Sequence, residues 1–248
     1  MDDEPQRGSA PGPLTPIDER LTPIDPDAPV SGHRPGPSAA ASLADAPEHD
    51  WEAARGRVFP LLRPAGTGGT SIVGLDTAAM AAEGLKTHAQ PLVDEGPGGL
   101  AVLYALASEG FDILVNADHL LSWGVAIEDL QDAAVANLAS WAAGAPWSDE
   151  RSADHRLLSS QTGEGWDASR IILPETTAFL ATELGGDGRV LVGLPDRHLL
   201  VAAALRPGDE EFAERFASFV LEQAGDADEP IERRAFELIG LQLVPFAG

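Results

Sequence analysis

From Trp51 onward, unbroken apolar runs alternate with stretches whose apolar positions recur every three or four residues. Short apolar runs bounded by Gly, Pro, Asn or Asp predict strands; the three-to-four spacing predicts helices with one buried face. The stretch from Gly163 to Phe219 organises the rest and predicts strand, helix, strand, strand, helix. Its first strand is Ser169–Leu173, ended by Pro174. A helix from Glu175 to Leu184 follows, burying Phe179, Leu180 and Leu184 before Gly185-Gly186 stops it. Arg189–Leu194 and His198–Leu205 are apolar strands joined through Pro195-Asp196-Arg197, a turn whose proline presets φ. Asp209 is a good N-cap for a helix from Glu210 to Ala224. Phe212, Phe216, Phe219 and Val220 form its buried stripe, and Gly225 ends it.

Similar reasoning covers the flanks. A short helix starts at Trp51, and Val58–Pro64 is an extended segment that Pro60 confines to a sheet edge. Leu100–Ala107 and Ile113–Asn116 form a strand pair turning at Glu109-Gly110. Asn116–Asp118 opens a helix that Gly124 stops, and a longer helix runs from Ala126 to Ala143 with Ile127, Leu130, Val135, Leu138 and Trp141 on one face. Pro146–Gly165 is a polar loop or hairpin. Phe236–Ile239 and Gln242–Phe246 close the sheet around Gly240, with Pro245 marking an edge. Hairpins with covering helices predict an α+β fold: a mixed or largely antiparallel sheet in one domain over residues 51–248, divisible into two similar halves, 51–147 and 148–248.

Residues 1–50 carry half of the 20 prolines and almost no large apolar side chains. Such a segment cannot bury enough surface to offset its ordering entropy, which predicts a disordered acidic tail. Within it, Leu14-Thr-Pro-Ile-Asp18 recurs as Leu21-Thr-Pro-Ile-Asp25. Leu14, Ile17, Leu21 and Ile24 are candidate docking anchors, and two copies would raise avidity; a local duplication in an unconstrained linker accounts for the repeat equally simply. Thr15 and Thr22 precede proline and are weak phosphorylation candidates.

Charge changes the picture most. With 40 acidic and 16 basic residues the formal net charge is −24. That surface repels phosphate backbones, which disfavours nucleic acid, and it suits a basic protein partner or plain solubility. Lys86 is the one lysine, a composition habit rather than a site. The absence of cysteine excludes disulfides, thiolate metal sites and cysteine nucleophiles. No apolar stretch is long enough for a membrane span, and the N-terminus lacks the features of a signal peptide, so the expected setting is cytoplasmic, away from membranes.

Candidate chemistry is sparse. Gly66–Ser71 lacks the Gly-Lys-Ser/Thr ending of a phosphate loop and reads as a turn. Glu128, Asp129 and Asp132 sit where a helix N-terminus favours negative charge, not at a metal site. His155 beside Asp154 has no partner at metal spacing. The sequence thus implies no metal and no cofactor. Asp167, Ser169, Arg170 and Asp196 are the residues around which a hydrolase could be built, though Asp167 and Ser169 serve equally well to tie down a strand entrance and Arg170 to form a structural ion pair.

With these residues in view, the chain resembles the YtpQ-like family of uncharacterised bacterial proteins (domain of unknown function 1444) over residues 57–246. The motifs that carry the resemblance are Val58-Phe-Pro-Leu-Leu-Arg63, Leu103-Tyr-Ala-Leu106, Trp123-Gly124 before a helix containing Asn137-Leu138, Gly165-Trp-Asp-Ala-Ser-Arg170, Gly193-Leu-Pro195 and Leu241-Gln-Leu-Val-Pro-Phe246. Trp166 stands where the family pattern has Tyr, and the acidic tail replaces an N-terminal folded region. The resemblance implies an α+β fold and a bacterial cytoplasmic origin, and attaches no reaction. Three functions follow as expectations: first a non-enzymatic protein-binding module or adaptor with an acidic surface, then a hydrolase-like enzyme at Asp167, Ser169, Arg170 and Asp196, then an immunity or antitoxin-like protein masking a basic partner.

Overall fold

The computed structural model describes residues 48–82, 87–108, 111–152, 154–186 and 188–247. The tail anchors Leu14, Ile17, Leu21 and Ile24, and the expected turn at Glu109-Gly110, lie outside the described residues. The fold is α+β, and its strands form two sheets rather than one.

The first sheet contains β1 (Val58–Arg63), β2 (Thr70–Ser71), β3 (Leu92–Glu95), β4 (Ala101–Ser108) and β5 (Phe111–Leu114), ordered β1-β4-β3-β2 with β5 also on β4. Only the β2–β3 pair is parallel. Pro60 sits on β1, whose described pairing is with β4 alone, as a residue without an N–H requires. The second sheet is antiparallel throughout, in the order β11-β10-β8-β9-β7-β6. Its strands are β6 (Ser148–Ser152), β7 (His155–Ser160), β8 (Arg189–Asp196), β9 (Leu199–Leu205), β10 (Phe236–Ile239) and β11 (Gln242–Pro245). The polar stretch after Pro146 is therefore the β6–β7 hairpin.

The helices are α1 (Trp51–Ala54), α2 (Thr77–Ala82), α3 (Ala117–Trp123), α4 (Ile127–Gly144), α5 (Pro174–Leu184) and α6 (Glu210–Asp226). Asn116 caps α3 by accepting from the His119 N–H (3.1 Å), and Gly124 ends it in the left-handed conformation.

Why β8 and β9 are apolar at nearly every position follows from what covers them. Val190, Val192, Leu194, Leu200 and Ala202 face the main core, which also receives Leu62, Tyr104 and Leu106 from the first sheet, Leu130 from α4 and Leu180 from α5. The alternate residues Leu191, Leu199, Val201, Ala203 and Leu205 face Phe212, Phe216 and Val220 of α6. A strand covered on both sides loses the apolar/polar alternation of a half-exposed one. Gly193 lets α6 come close: a Cβ there would lie 2.5 Å from Val220 Cγ2. A third cluster, with Leu61, Ala105, Leu138, Trp166 and Leu173, lies beside the main core. Burial pushes the Tyr104 phenol up, and its hydroxyl donates to Asp94 (3.2 Å), which also accepts from Gln131 (3.0 Å).

Several expectations need correction. Ser169–Leu173 is not a strand: Ala168–Ile172 forms a 3-10 turn, and Pro174 begins α5 instead of ending a strand. Proline suits the first helical position, where its missing N–H would be unpaired anyway. Phe179, Phe219 and Val135 are 37%, 38% and 40% exposed, so the buried stripes are narrower than predicted. On α4 the buried role falls to Ala134. Gly225 lies inside α6, which runs to Asp226.

Candidate functional site

The segment expected to carry chemistry is tied into the fold by hydrogen bonds. Asp167 is fully buried and accepts three hydrogen bonds: from Ser160 Oγ (2.7 Å), the Thr162 N–H (2.9 Å) and Thr162 Oγ1 (2.9 Å). Ser169 Oγ accepts from the Leu62 N–H (3.1 Å), satisfying a donor of the β1 edge. The Arg170 side chain donates to Ser160 Oγ (2.8 Å) and to the Ala142 carbonyl (3.1 Å), with a longer bond to the Ala145 carbonyl (3.4 Å). It thereby caps the C-terminus of α4, where carbonyls lack helical partners and the dipole favours a cation. Its guanidinium lies 4.1 Å from the Trp147 ring centre. Ser160 thus accepts from Arg170 and donates to Asp167, the two roles a hydroxyl can fill together. Burial lowers the Arg170 pKa, and the charge of Asp167 opposes that shift.

Trp166 stacks on Phe59 with centroids 4.6 Å apart, and the Arg197 guanidinium lies 5.4 Å from its ring. Trp166, Asp167, Ser169 and Arg170 are therefore brought together inside the protein; Asp167, Ser169 and the terminal nitrogens of Arg170 are hydrogen-bonded, while Arg170 Nε is buried without a partner among the described residues. The other two candidates stand elsewhere. Asn137 Nδ2 donates to the carbonyls of Arg55 and Val58, both at 2.8 Å, tying α4 to the start of β1. Asp196 accepts from the His198 N–H (2.5 Å) and shapes the β8–β9 turn.

Three clefts open near these elements. One of about 280 Å³ lies between Trp147, Phe179 and Arg170, with the two rings 5.3 Å apart. Another of about 660 Å³ is polar, lined by Arg63, Asp112, Arg197 and Glu229. Its charges face one another. Arg63 pairs with Glu229, and Arg197 bonds Asp112 (2.5 Å) and sits 3.6 Å from Glu229. Burial pushes Glu229 up, but the hydrogen bond and charge of Arg63, helped by Arg197, outweigh it and hold the carboxyl below its usual range. These pairs join β1 and β5 of the first sheet to the β8–β9 turn and to the segment after α6.

The third cleft, about 600 Å³, is a groove along one side of α6. Its floor is apolar: Leu205, Ala213, Ala217, Leu221, Ala235 and Phe246. Its charged lining is Arg189, Arg206, Arg233 and Arg234, four of the 16 basic residues in a chain of net charge −24, together with Asp209, Glu210 and Glu214. Arg189 bonds Glu237 with two nitrogens (2.7 and 2.5 Å), and Arg234 pairs with Glu232 (2.8 Å). Arg206 meets the largely exposed Asp154 at 3.2 Å, and Arg233 projects an exposed side chain while its backbone N–H bonds Glu232. The signals for this groove in the sequence are Leu221, off the phenylalanine stripe, and the Arg233-Arg234 pair in a chain poor in bases.

His155, at the groove's end, bonds Asp209 (2.6 Å) and stacks on Phe212 with centroids 4.1 Å apart. It serves the α6 cap, and no cluster fit for a metal occurs among the described residues. The His155 bond, reinforced by the Phe212 N–H, holds the Asp209 carboxyl below its ordinary range despite an opposing contribution from burial. A depressed pKa stabilises the fold above the unfolded value, about 3.9, and that contribution fades as pH falls through the folded value. Asp209→Asn keeps a capping oxygen but loses the charge. Its urea midpoint is expected to lie below wild type near neutral pH and to converge with it as acid protonates the folded carboxyl. A constant offset from neutral to acid pH would contradict this assignment.

No helix among the described residues is long and apolar enough to cross a membrane. No family model matches the chain, and no curated protein or solved structure shows significant similarity to it.

Proposed function

We propose that the chain is a non-enzymatic protein-binding module whose working surface is the groove along α6. The observation behind this reading is an apolar floor at which four arginines gather, beside Asp209, Glu210 and Glu214, on an otherwise strongly acidic protein. Apolar anchors supply affinity in such a groove, and charges at the rim select the partner and steer its approach. The fitting partner is an extended segment bearing aliphatic side chains and carboxylates. This reverses, locally, the expectation of a basic partner, which came from the net charge of the whole chain. The hydrolase alternative draws no support from Asp167, Ser169 and Arg170, which are buried and whose carboxylate, hydroxyl and terminal guanidinium nitrogens bond to neighbouring groups of the fold. Kinship with the YtpQ-like family and a bacterial cytoplasmic setting stay part of the same proposal, resting on the motif residues alone.

The test is fluorescence anisotropy on the full chain with two labelled 12-residue peptides. One carries two leucines three residues apart flanked by aspartates; the other has arginines in place of the aspartates. The aspartate peptide is expected to bind, and Arg206→Glu with Arg233→Glu to weaken it about tenfold or more, equivalent to about 1.4 kcal/mol. Equal binding of both peptides, or no effect of the charge reversals, would refute the reading.

A further inference from the structure

We infer that the occupant of the groove is this chain's own repeat, Leu14–Asp25, an inference that rests on the peptide-binding reading above. Each copy places two aliphatic anchors three residues apart: Leu14 with Ile17, and Leu21 with Ile24. In an extended proline-containing segment with three residues per turn, such a pair shares one face, about 9 Å apart. That face offers aliphatic side chains to the apolar floor, which includes Leu221 and Phe246. Each copy also ends in acid: Asp18-Glu19 after the first, Asp25 and Asp27 at the second. Those carboxylates meet the rim at Arg206, Arg233 and Arg234. Guanidinium forks offer five donors each, so they can take a second carboxylate beside the pairs they already make.

Reach is not limiting. Residues 26–47 separate the repeat from the first described residue, Glu48. At about 3.1–3.5 Å per residue they span about 70 Å, against a diameter of about 40 Å for a domain of about 200 residues. Tethering then gives the repeat a local concentration on the order of 1 mM at the groove. Two copies in front of one groove double the effective concentration of the docking segment. A partner peptide binds by displacing the repeat.

The probe is a fluorescent peptide covering residues 12–27, titrated into the full chain and into the full-length Leu14→Ser, Ile17→Ser, Leu21→Ser, Ile24→Ser variant. A urea midpoint equal to that of wild type shows that the variant folds as wild type does. The quadruple variant is expected to bind the peptide about tenfold more tightly than wild type, because its groove has lost the tethered competitor. Adding Arg233→Glu to that variant is expected to weaken binding again. Equal affinity for wild type and quadruple variant overturns self-docking and leaves the groove reading intact. Self-docking alone also falls if the residue 12–27 peptide fails to bind while the aspartate-flanked leucine peptide binds. Failure of both peptides removes the two readings together.

Discussion

Arg170→Ala is expected to destabilise the protein by about 3–5 kcal/mol, the cost of breaking a buried charged network by removing one member. Arg170 is only 3% exposed, and its loss leaves the Ala142 carbonyl and Ser160 without their donor while opening a void against Trp147. Asp167→Ala belongs to the same network. It strips the Thr162 N–H, Thr162 Oγ1 and Ser160 Oγ of their acceptor and removes the negative charge nearest Arg170. Because Ser160 links the two, the double variant is expected to cost clearly less than the sum of the single ones. Denaturant midpoints at constant slope measure all three. If Arg170→Ala cost less than about 1 kcal/mol, the fastening role would be wrong, and a function for the motif would have to be sought instead.

Phe236→Ala is the second large effect, about 3–5 kcal/mol. Phe236 is fully buried on β10, opposite Val192 of β8 and Pro245 of β11. Its ring lies against Gly98, from the first half of the chain, where a Cβ would stand 2.7 Å from Phe236 Cε1. Gly98 also has φ +68°, which a side chain resists. Gly98→Ala should therefore destabilise through both strain and overpacking, and lose much of the second cost in a Phe236→Ala background. Each variant should still unfold in one transition, since the main core draws residues from both sheets. Two separate transitions would mean the halves are independent.

Which parts of this were visible in the sequence depended on range. The hairpins, the α6 stripe of Phe212, Phe216 and Val220, and the Asp209 cap are local patterns, and all are found. Ile171-Ile172-Leu173 was too short a run to separate strand from helix by periodicity. What decides it is distant: Ser169 reaches Leu62, 107 positions away, and Arg170 reaches the end of α4. The division into two sheets was hidden for a related reason, because the same apolar runs fit one sheet or two until a shared core pairs them. The groove was hardest to foresee, since its floor and rim come from residues spread between Arg189 and Phe246.

Amide chemical-shift mapping of the full chain with excess aspartate-flanked leucine peptide is the direct test of where this protein works. The predicted result is a set of perturbations at Arg189, Leu205–Leu221 and Arg233–Phe246, together with those of the displaced repeat, with Trp166–Arg170 unmoved. Perturbations centred on Trp147, Arg170 and Phe179, or on the Arg63, Asp112, Arg197 and Glu229 cleft, would contradict it and return the site to the motif.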